Sequence, residues 1–248
     1  MVQEIFNHRS IRKYKPDQVN PEIIDKILEA ASRAPTTGNM QVYSIVVTTD
    51  AQIKEQLSPC HFNQAMVKQA PVLLTFCADF NRFKQWCRIR NANHKAYNNF
   101  LSFVTAAIDA LLAAQNACLE AESNGLGTCY LGTTTYTASR IIEILKLPRG
   151  VVPVTTLVIG YADENPSLTD RLPIRAIAHS ETYNPYSDTE IEALYAEKEN
   201  RDDSKKFVAE NNKENLAQVF TDVRYTEKDN QHFSETLLEV LRNQGFMQ

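Results

Sequence analysis

Hydrophobic positions along this chain repeat in two rhythms, one helical and one extended. Ile23, Ile24, Ile27, Leu28 and Ala31 recur at helical spacing. They follow Asn20-Pro21-Glu22, which supplies a capping side chain, a proline suited to the first turn and an acid against the helix dipole. The spacing predicts an amphipathic helix to about Arg33, closed by Pro35. A second helical stretch, residues 100–123, carries small residues (Ala106, Ala107, Ala110, Ala113, Ala114, Ala117) around Leu111, Leu112 and Leu119. Small faces on both sides suit close packing at the centre of a fold or across a subunit boundary. Shorter helices are expected over residues 2–7, 51–57 and 138–145.

The extended rhythm predicts strands at residues 43–49, 72–78, 127–131 and 152–161. The run Val72-Leu73-Leu74-Thr75-Phe76-Cys77-Ala78 is almost wholly apolar and is expected to be buried on both faces. Residues 81–99 alternate polar, basic and aromatic types without a clear period and are expected to form a flexible excursion. Past Tyr183 the chain turns charged and Asn-rich, with helical periodicity near residues 191–199 and 233–241. This tail has too little apolar surface for its own core and is expected to wrap a second subunit. The division expected is therefore 1–183 for the main domain and 184–248 for a helical extension.

Composition narrows the class. The chain has 248 residues and a formal net charge of −4, which argues against nucleic acid as the main partner. Asp109, Gln115 and Asn116 interrupt the most apolar helix, which reads as a core helix rather than a membrane span. The N-terminal residues carry no apolar signal-peptide core. The five cysteines, Cys60, Cys77, Cys87, Cys118 and Cys129, are widely spaced and read as reduced thiols of a cytoplasmic protein. No zinc-ligand spacing is present among the histidines.

Against this acidic background the segment His8-Arg9-Ser10-Ile11-Arg12-Lys13-Tyr14 stands out, together with Arg171 in Thr169-Asp170-Arg171-Leu172-Pro173. Arginine forks match phosphate oxygens bidentately, so gathered around one ligand these residues would suit a small phosphorylated molecule. Alone, each is an ordinary solvated basic turn.

Five short blocks in order resemble the nitroreductase family of FMN-dependent oxidoreductases: the basic R-S-x-R turn, the Pro35-Thr36-Thr37-Gly38-Asn39-Met40-Gln41 loop before a strand, Gly125-Leu126-Gly127 with Tyr130-Leu131-Gly132, Leu145-Lys146-Leu147-Pro148, and Arg171-Leu172-Pro173. The opening and the long tail are most similar to the larger NADPH nitroreductase and flavin reductase subgroup. The resemblance implies an α+β nitroreductase-like fold, with a central mixed or antiparallel sheet flanked by helices and a C-terminal helical extension wrapping a partner subunit. It also implies a homodimer with FMN as cofactor and NADPH or NADH as electron donor. The acceptor would be a small electron-poor molecule (nitroaromatic, quinone or flavin), with no nucleic acid or membrane partner.

Position by position, the resemblance places His8, Arg9 and Ser10 on the FMN phosphate and ribityl chain and Arg171 on the distal side of the phosphate. Arg12 matches the basic residue facing the flavin N1 and C2 carbonyl, where a fixed charge favours added electrons. Thr36, Thr37, Asn39 and Gln41 match the loop that reaches the partner's cofactor. Gln69 matches a flavin-contacting amide, and Tyr130, Leu131 and Gly132 match the segment along the ring. No protein residue is expected to do the redox chemistry. Two departures stand out: Thr169 replaces a lysine, and Asp170 adds a negative charge beside Arg171. Dehalogenation or dehydrogenation on the same site, or flavin binding with little turnover, are the alternatives.

Overall fold

The computed structural model describes residues 2–248, which divide into two compact units, residues 2–167 with 233–248, and residues 168–232. The first unit opens with α1 (Gln3–Asn7) and α2 (Pro21–Ser32). Asn20 caps α2 by accepting from the Glu22 amide, as its position predicts. Next come β1 (Tyr43–Thr48), α3 (Ala51–Leu57), α4 (Ala65–Gln69) and β2 (Val72–Asp79). They are followed by α5 (Asn81–Ile89), α6 (Phe100–Ser123), β3 (Gly127–Leu131), α7 (Ala138–Ile144) and β4 (Val151–Gly160).

The four strands form one antiparallel sheet in the order β1-β2-β4-β3. β2 and β4 are central, which is why β2 lacks alternation: every residue from Val72 to Asp79 is buried. On one face lies α6, whose Ala110, Ala113, Ala114 and Ala117 meet Ile27 and Ala31 of α2 together with Leu74, Phe76, Leu157 and Ile159 of the sheet. Alanine at these positions lets the backbones approach closely, so the small-residue stripe sits at the centre of the fold. By length and composition α6 could cross a membrane, yet it is this core helix. A second cluster on Leu73 and Val158 gathers Ile11, Tyr14, Leu57, Leu131 and Ile141.

Residues 81–99 are not a flexible excursion. They form α5 and a 3₁₀ turn, His94–Tyr97. An aromatic cluster holds them: Tyr97 stacks on Phe80 at 4.9 Å between ring centroids, and Phe83 meets Tyr97 edge-on at 5.2 Å. Phe246, at the far end of the chain, adds an edge contact to Phe80 and to Phe103. The packing partners are spread from residue 80 to residue 246, so no local window shows the period.

The division at residue 183 moves for the same reason. The first unit ends at Ser167, and residues 233–248 rejoin it, because Val240, Leu241 and Phe246 are buried with Phe80, Phe103 and Val152. The second unit contains α8 (Asp188–Asn200), α9 (Asp202–Glu210) and α10 (Leu216–Val219). A capping box between Ser187 and Glu190 starts α8. Few apolar side chains are buried here, Leu194, Leu216 and Val219 among them, whereas Ile174, Ile177 and Tyr183 are exposed. The last helix, α11 (Glu227–Gln244), begins in this unit and ends in the first.

Candidate functional site

The basic segment runs extended beside the sheet. Ser10 pairs in parallel with Thr128 of β3, the Ile11 amide donates to the Thr128 carbonyl at 2.8 Å, and Tyr14 bridges to Ala162. Two carbonyl contacts continue the seam, Lys15 amide to Tyr161 and Asp163 amide to Lys13, both 2.9 Å. Buried Tyr14 donates its hydroxyl to the Ile11 carbonyl at 2.7 Å, and burial raises that phenol above its ordinary pKa. Glu164 accepts from the backbone amides of Arg12 and Lys13 and so pins the segment from the other side.

Gly127 makes the close approach possible. A Cβ there would lie 2.7 Å from Ile11 Cγ1 and 2.9 Å from Ile11 Cβ. Gly127→Ala is expected to push the segment off β3 and cost about 1–3 kcal/mol, read by chemical denaturation alongside FMN affinity. Unchanged stability and affinity would show the segment indifferent to this contact.

Extended backbone alternates its side chains, so His8, Ser10 and Arg12 share one face and Arg9 and Ile11 the other. The cavity next to the segment, about 320 Å³, is lined by Arg9 and Ile11 with Glu122, Gly127 and Glu164. Arg9 thus shares this cavity with Glu122, the partner of His8 Nδ1. Arg9 Nη1 donates to the Asn7 carbonyl at 3.0 Å, and its buried Nε has no partner among the described residues. On the other face the donors are uncommitted. The Arg12 guanidinium makes one contact, 3.5 Å to the Ser10 carbonyl, and the Ser10 hydroxyl makes none among the described residues. Among the described residues His8 uses only Nδ1, at 2.6 Å from Glu122 Oε1. Three free donors on alternate residues, two of them able to carry positive charge, fit an anion with several oxygens.

Tyr130 and Leu131 follow Thr128 along β3, and Gly132 begins the turn after it. Leu131 is buried and Gly132 exposed, while the Tyr130 hydroxyl reaches Gln115 of α6 at 3.5 Å. Burial raises the Tyr130 phenol, so it stays a neutral hydrogen-bonding group. Gln69 is the last residue of α4 and is exposed. No hydrogen bond joins it to the other candidates among the described residues.

The loop bearing Thr36, Thr37, Asn39 and Gln41 is a second, separate patch. Gly38, Asn39 and Gln41 all have left-handed backbone, with φ of 56°, 55° and 55°. Two of these are not glycine, and such a conformation needs outside support. Asp109, fully buried on α6, provides it by accepting from the Thr37 amide at 3.0 Å and the Val42 amide at 3.3 Å. Arg82 of α5 closes the other side, donating to the Gln41 carbonyl and, at 3.1 Å, to that of Tyr43. Asp109 was visible in the sequence only as a polar break in an apolar helix, and Arg82 only as one basic residue among several. Asp109 and Glu122 stand on one helix about 20 Å apart at 1.5 Å per residue. The loop and the basic segment are therefore anchored at separate stations of α6.

Arg171 belongs to the second unit. It is exposed and folds back on its neighbours, Nη1 donating to Thr169 Oγ1 at 2.7 Å and to the Asp170 carbonyl at 2.8 Å. Asp170 does not oppose it: its carboxylate takes Lys198 Nζ at 2.8 Å, and that bond holds its pKa below the ordinary value. Lys198 thus cancels the added negative charge that the sequence shows beside Arg171. Thr169, in place of a lysine, serves as an acceptor for the arginine.

Comparison with known proteins places the geometry in context. The model of the nitroreductase family matches residues 5–161. An FMN reductase (NAD(P)H) from Bacillus subtilis strain 168 is 36% identical over 184 residues, 74% of this chain and 74% of its own length. An oxygen-insensitive NADPH nitroreductase from Salmonella typhimurium is 33% identical over 196 residues, 79% of each protein. A crystal structure from Bacteroides fragilis superposes with a TM-score of 0.97 at 54% identity, covering 99% of this chain and 100% of the other.

Proposed function

The chain belongs to the nitroreductase family, and from that premise we propose that it is an FMN-dependent oxidoreductase carrying hydride from NADPH or NADH to electron-poor acceptors (nitroaromatics, quinones or flavins) in two half-reactions at one site. Bound FMN supplies the redox chemistry, and the protein binds, orients and tunes it. The observation that carries the reading is the row formed by His8 Nε2, the Ser10 hydroxyl and the Arg12 guanidinium, with few partners among the described residues, on a strand pinned to β3.

His8 and Ser10 would hold the phosphate end of FMN, and Arg12 would stand by the ring, where a fixed positive charge favours added electrons. Tyr130, Leu131 and Gly132, continuing β3 past the Ser10 bridge, offer an edge along the ring, with Gln69 as a further amide donor. Arg171, freed from Asp170 by Lys198, remains available to an anionic ligand.

We also propose a homodimer. Leu101, Ile108, Leu111 and Leu112 are exposed on α6, Leu101 to 72%, and form an apolar stripe on a helix whose other faces are core. The exposed apolar residues of unit 168–232 would lie against the same second copy. In such a pair the Thr36, Thr37, Asn39 and Gln41 loop, held about 20 Å along α6 from the station of His8, serves the cofactor of the partner subunit.

Initial-rate kinetics test the function. With NADPH and a benzoquinone varied together, double-reciprocal plots should give parallel lines, because donor and acceptor occupy the site in turn. FMN-loaded protein that oxidises neither NADPH nor NADH would instead be a flavin-binding module, and converging lines would contradict the shared site.

A further inference from the structure

We propose that Glu122 is a positioning residue that orients the His8 imidazole toward the FMN phosphate; the proposal rests on the phosphate reading of the 8–12 segment. Glu122 lies in the last turn of α6, with its side chain 13% exposed. One oxygen, Oε1, collects three donors: His8 Nδ1 at 2.6 Å, Thr128 Oγ1 at 2.6 Å and Cys118 Sγ at 3.7 Å. Thr128 is also the residue that pairs with Ser10, so one carboxylate registers the imidazole against the strand that carries the other phosphate donors.

The chemistry follows from the ring. A carboxylate can only accept, so His8 Nδ1 is the protonated nitrogen. A neutral imidazole would then turn a bare Nε2 lone pair toward the ligand and repel phosphate oxygens. Only the imidazolium donates on both sides, from Nδ1 to Glu122 and from Nε2 to phosphate. The imidazolium also separates the Glu122 carboxylate from the phosphate, which would otherwise repel each other.

His8, Cys118 and Glu122 bring potential metal ligands within 4.8 Å of one another, but the arrangement suits protons better. Burial pushes the Cys118 thiol up to about 12, which disfavours the thiolate a metal requires. His8 Nδ1 and Glu122 Oε1 lie 2.6 Å apart, at hydrogen-bond distance.

The test is a double-mutant cycle on ligand affinity, with FMN and riboflavin as probes in wild type, Glu122→Gln, His8→Gln and the double variant. Glu122→Gln preserves size and an acceptor oxygen but removes the charge. FMN affinity should fall roughly tenfold in each single variant, while riboflavin, which lacks the phosphate, changes less than about twofold. The double variant should bind FMN no more weakly than His8→Gln alone, because Glu122 acts through His8. In ¹⁵N spectra of the FMN complex, His8 Nε2 should be protonated in wild type and unprotonated in Glu122→Gln. Equal weakening of FMN and riboflavin, or a double variant weaker by the product of the two singles, would overturn the proposal. Failure of the phosphate reading itself shows elsewhere: a Ser10→Ala variant would then leave FMN affinity unchanged.

Discussion

Asp109→Ala is expected to be the most damaging single change in the core, lowering stability by about 3–4 kcal/mol. The carboxylate is fully buried and satisfies two backbone amides, Thr37 and Val42, which bracket the loop. Its removal leaves the fully buried Val42 amide unpaired, takes the acceptor from the Thr37 amide, and leaves a void in the middle of α6. The loop between them holds left-handed residues at Gly38, Asn39 and Gln41, each non-glycine one at a cost of about 1–2 kcal/mol. Without Asp109 the loop is anchored on the Arg82 side and not on the α6 side, so it should relax even in molecules that stay folded. Asp109→Asn should be intermediate, because its amide accepts from one N–H but turns a donor toward the other. Guanidinium denaturation measures the loss, and thermal unfolding should fall by roughly 10 °C for a chain of this size. A change below about 1 kcal/mol would mean that the loop is held by other contacts.

The second large effect concerns ligand affinity. Ser10→Ala combined with Arg12→Ala should weaken FMN by about 100-fold or more, since hydrogen bonds to charged groups contribute roughly 1.5–3 kcal/mol each. Such a variant should leave gel filtration free of flavin. Arg9→Ala, despite removing an equal charge from the adjacent position, should retain its flavin. The difference is expected from alternation along an extended strand, which sets Arg9 with Ile11 rather than with Ser10 and Arg12, and from the bond of the Arg9 guanidinium to the Asn7 carbonyl. Isothermal titration of apoprotein with FMN separates the two cases. Equal losses in both variants would return Arg9 to the phosphate and invalidate the division into faces.

These two sites show where the sequence was readable. The four strands and the helices α2 and α6 carry their periods locally, and Asn20-Pro21-Glu22 states where α2 begins. The basic segment was recognisable from residue type, and its order with the later glycine turn pointed to a phosphate ligand. The supports were not recognisable, because each is one acid or one arginine whose target lies far along the chain. Glu122 reaches back 114 residues to His8, Glu164 reaches 152 to the Arg12 amide, and Asp109 reaches 72 to Thr37. α5 escaped for a related reason, its packing partner Phe80 being shared with Tyr97 and Phe246. The face on which Arg9 falls depends on the Ser10–Thr128 bridge, which the composition of residues 8–14 does not reveal.

The central claim is that this fold holds an FMN which accepts hydride from a nicotinamide. It is tested most directly by anaerobic titration of the FMN-loaded protein with NADPH and, separately, NADH, following the flavin absorbance. The expected result is full bleaching by one equivalent of at least one donor per bound flavin, with the colour restored by a quinone added afterwards. A spectrum left unchanged by excess NADPH and NADH, in protein that retains its flavin, would contradict the account.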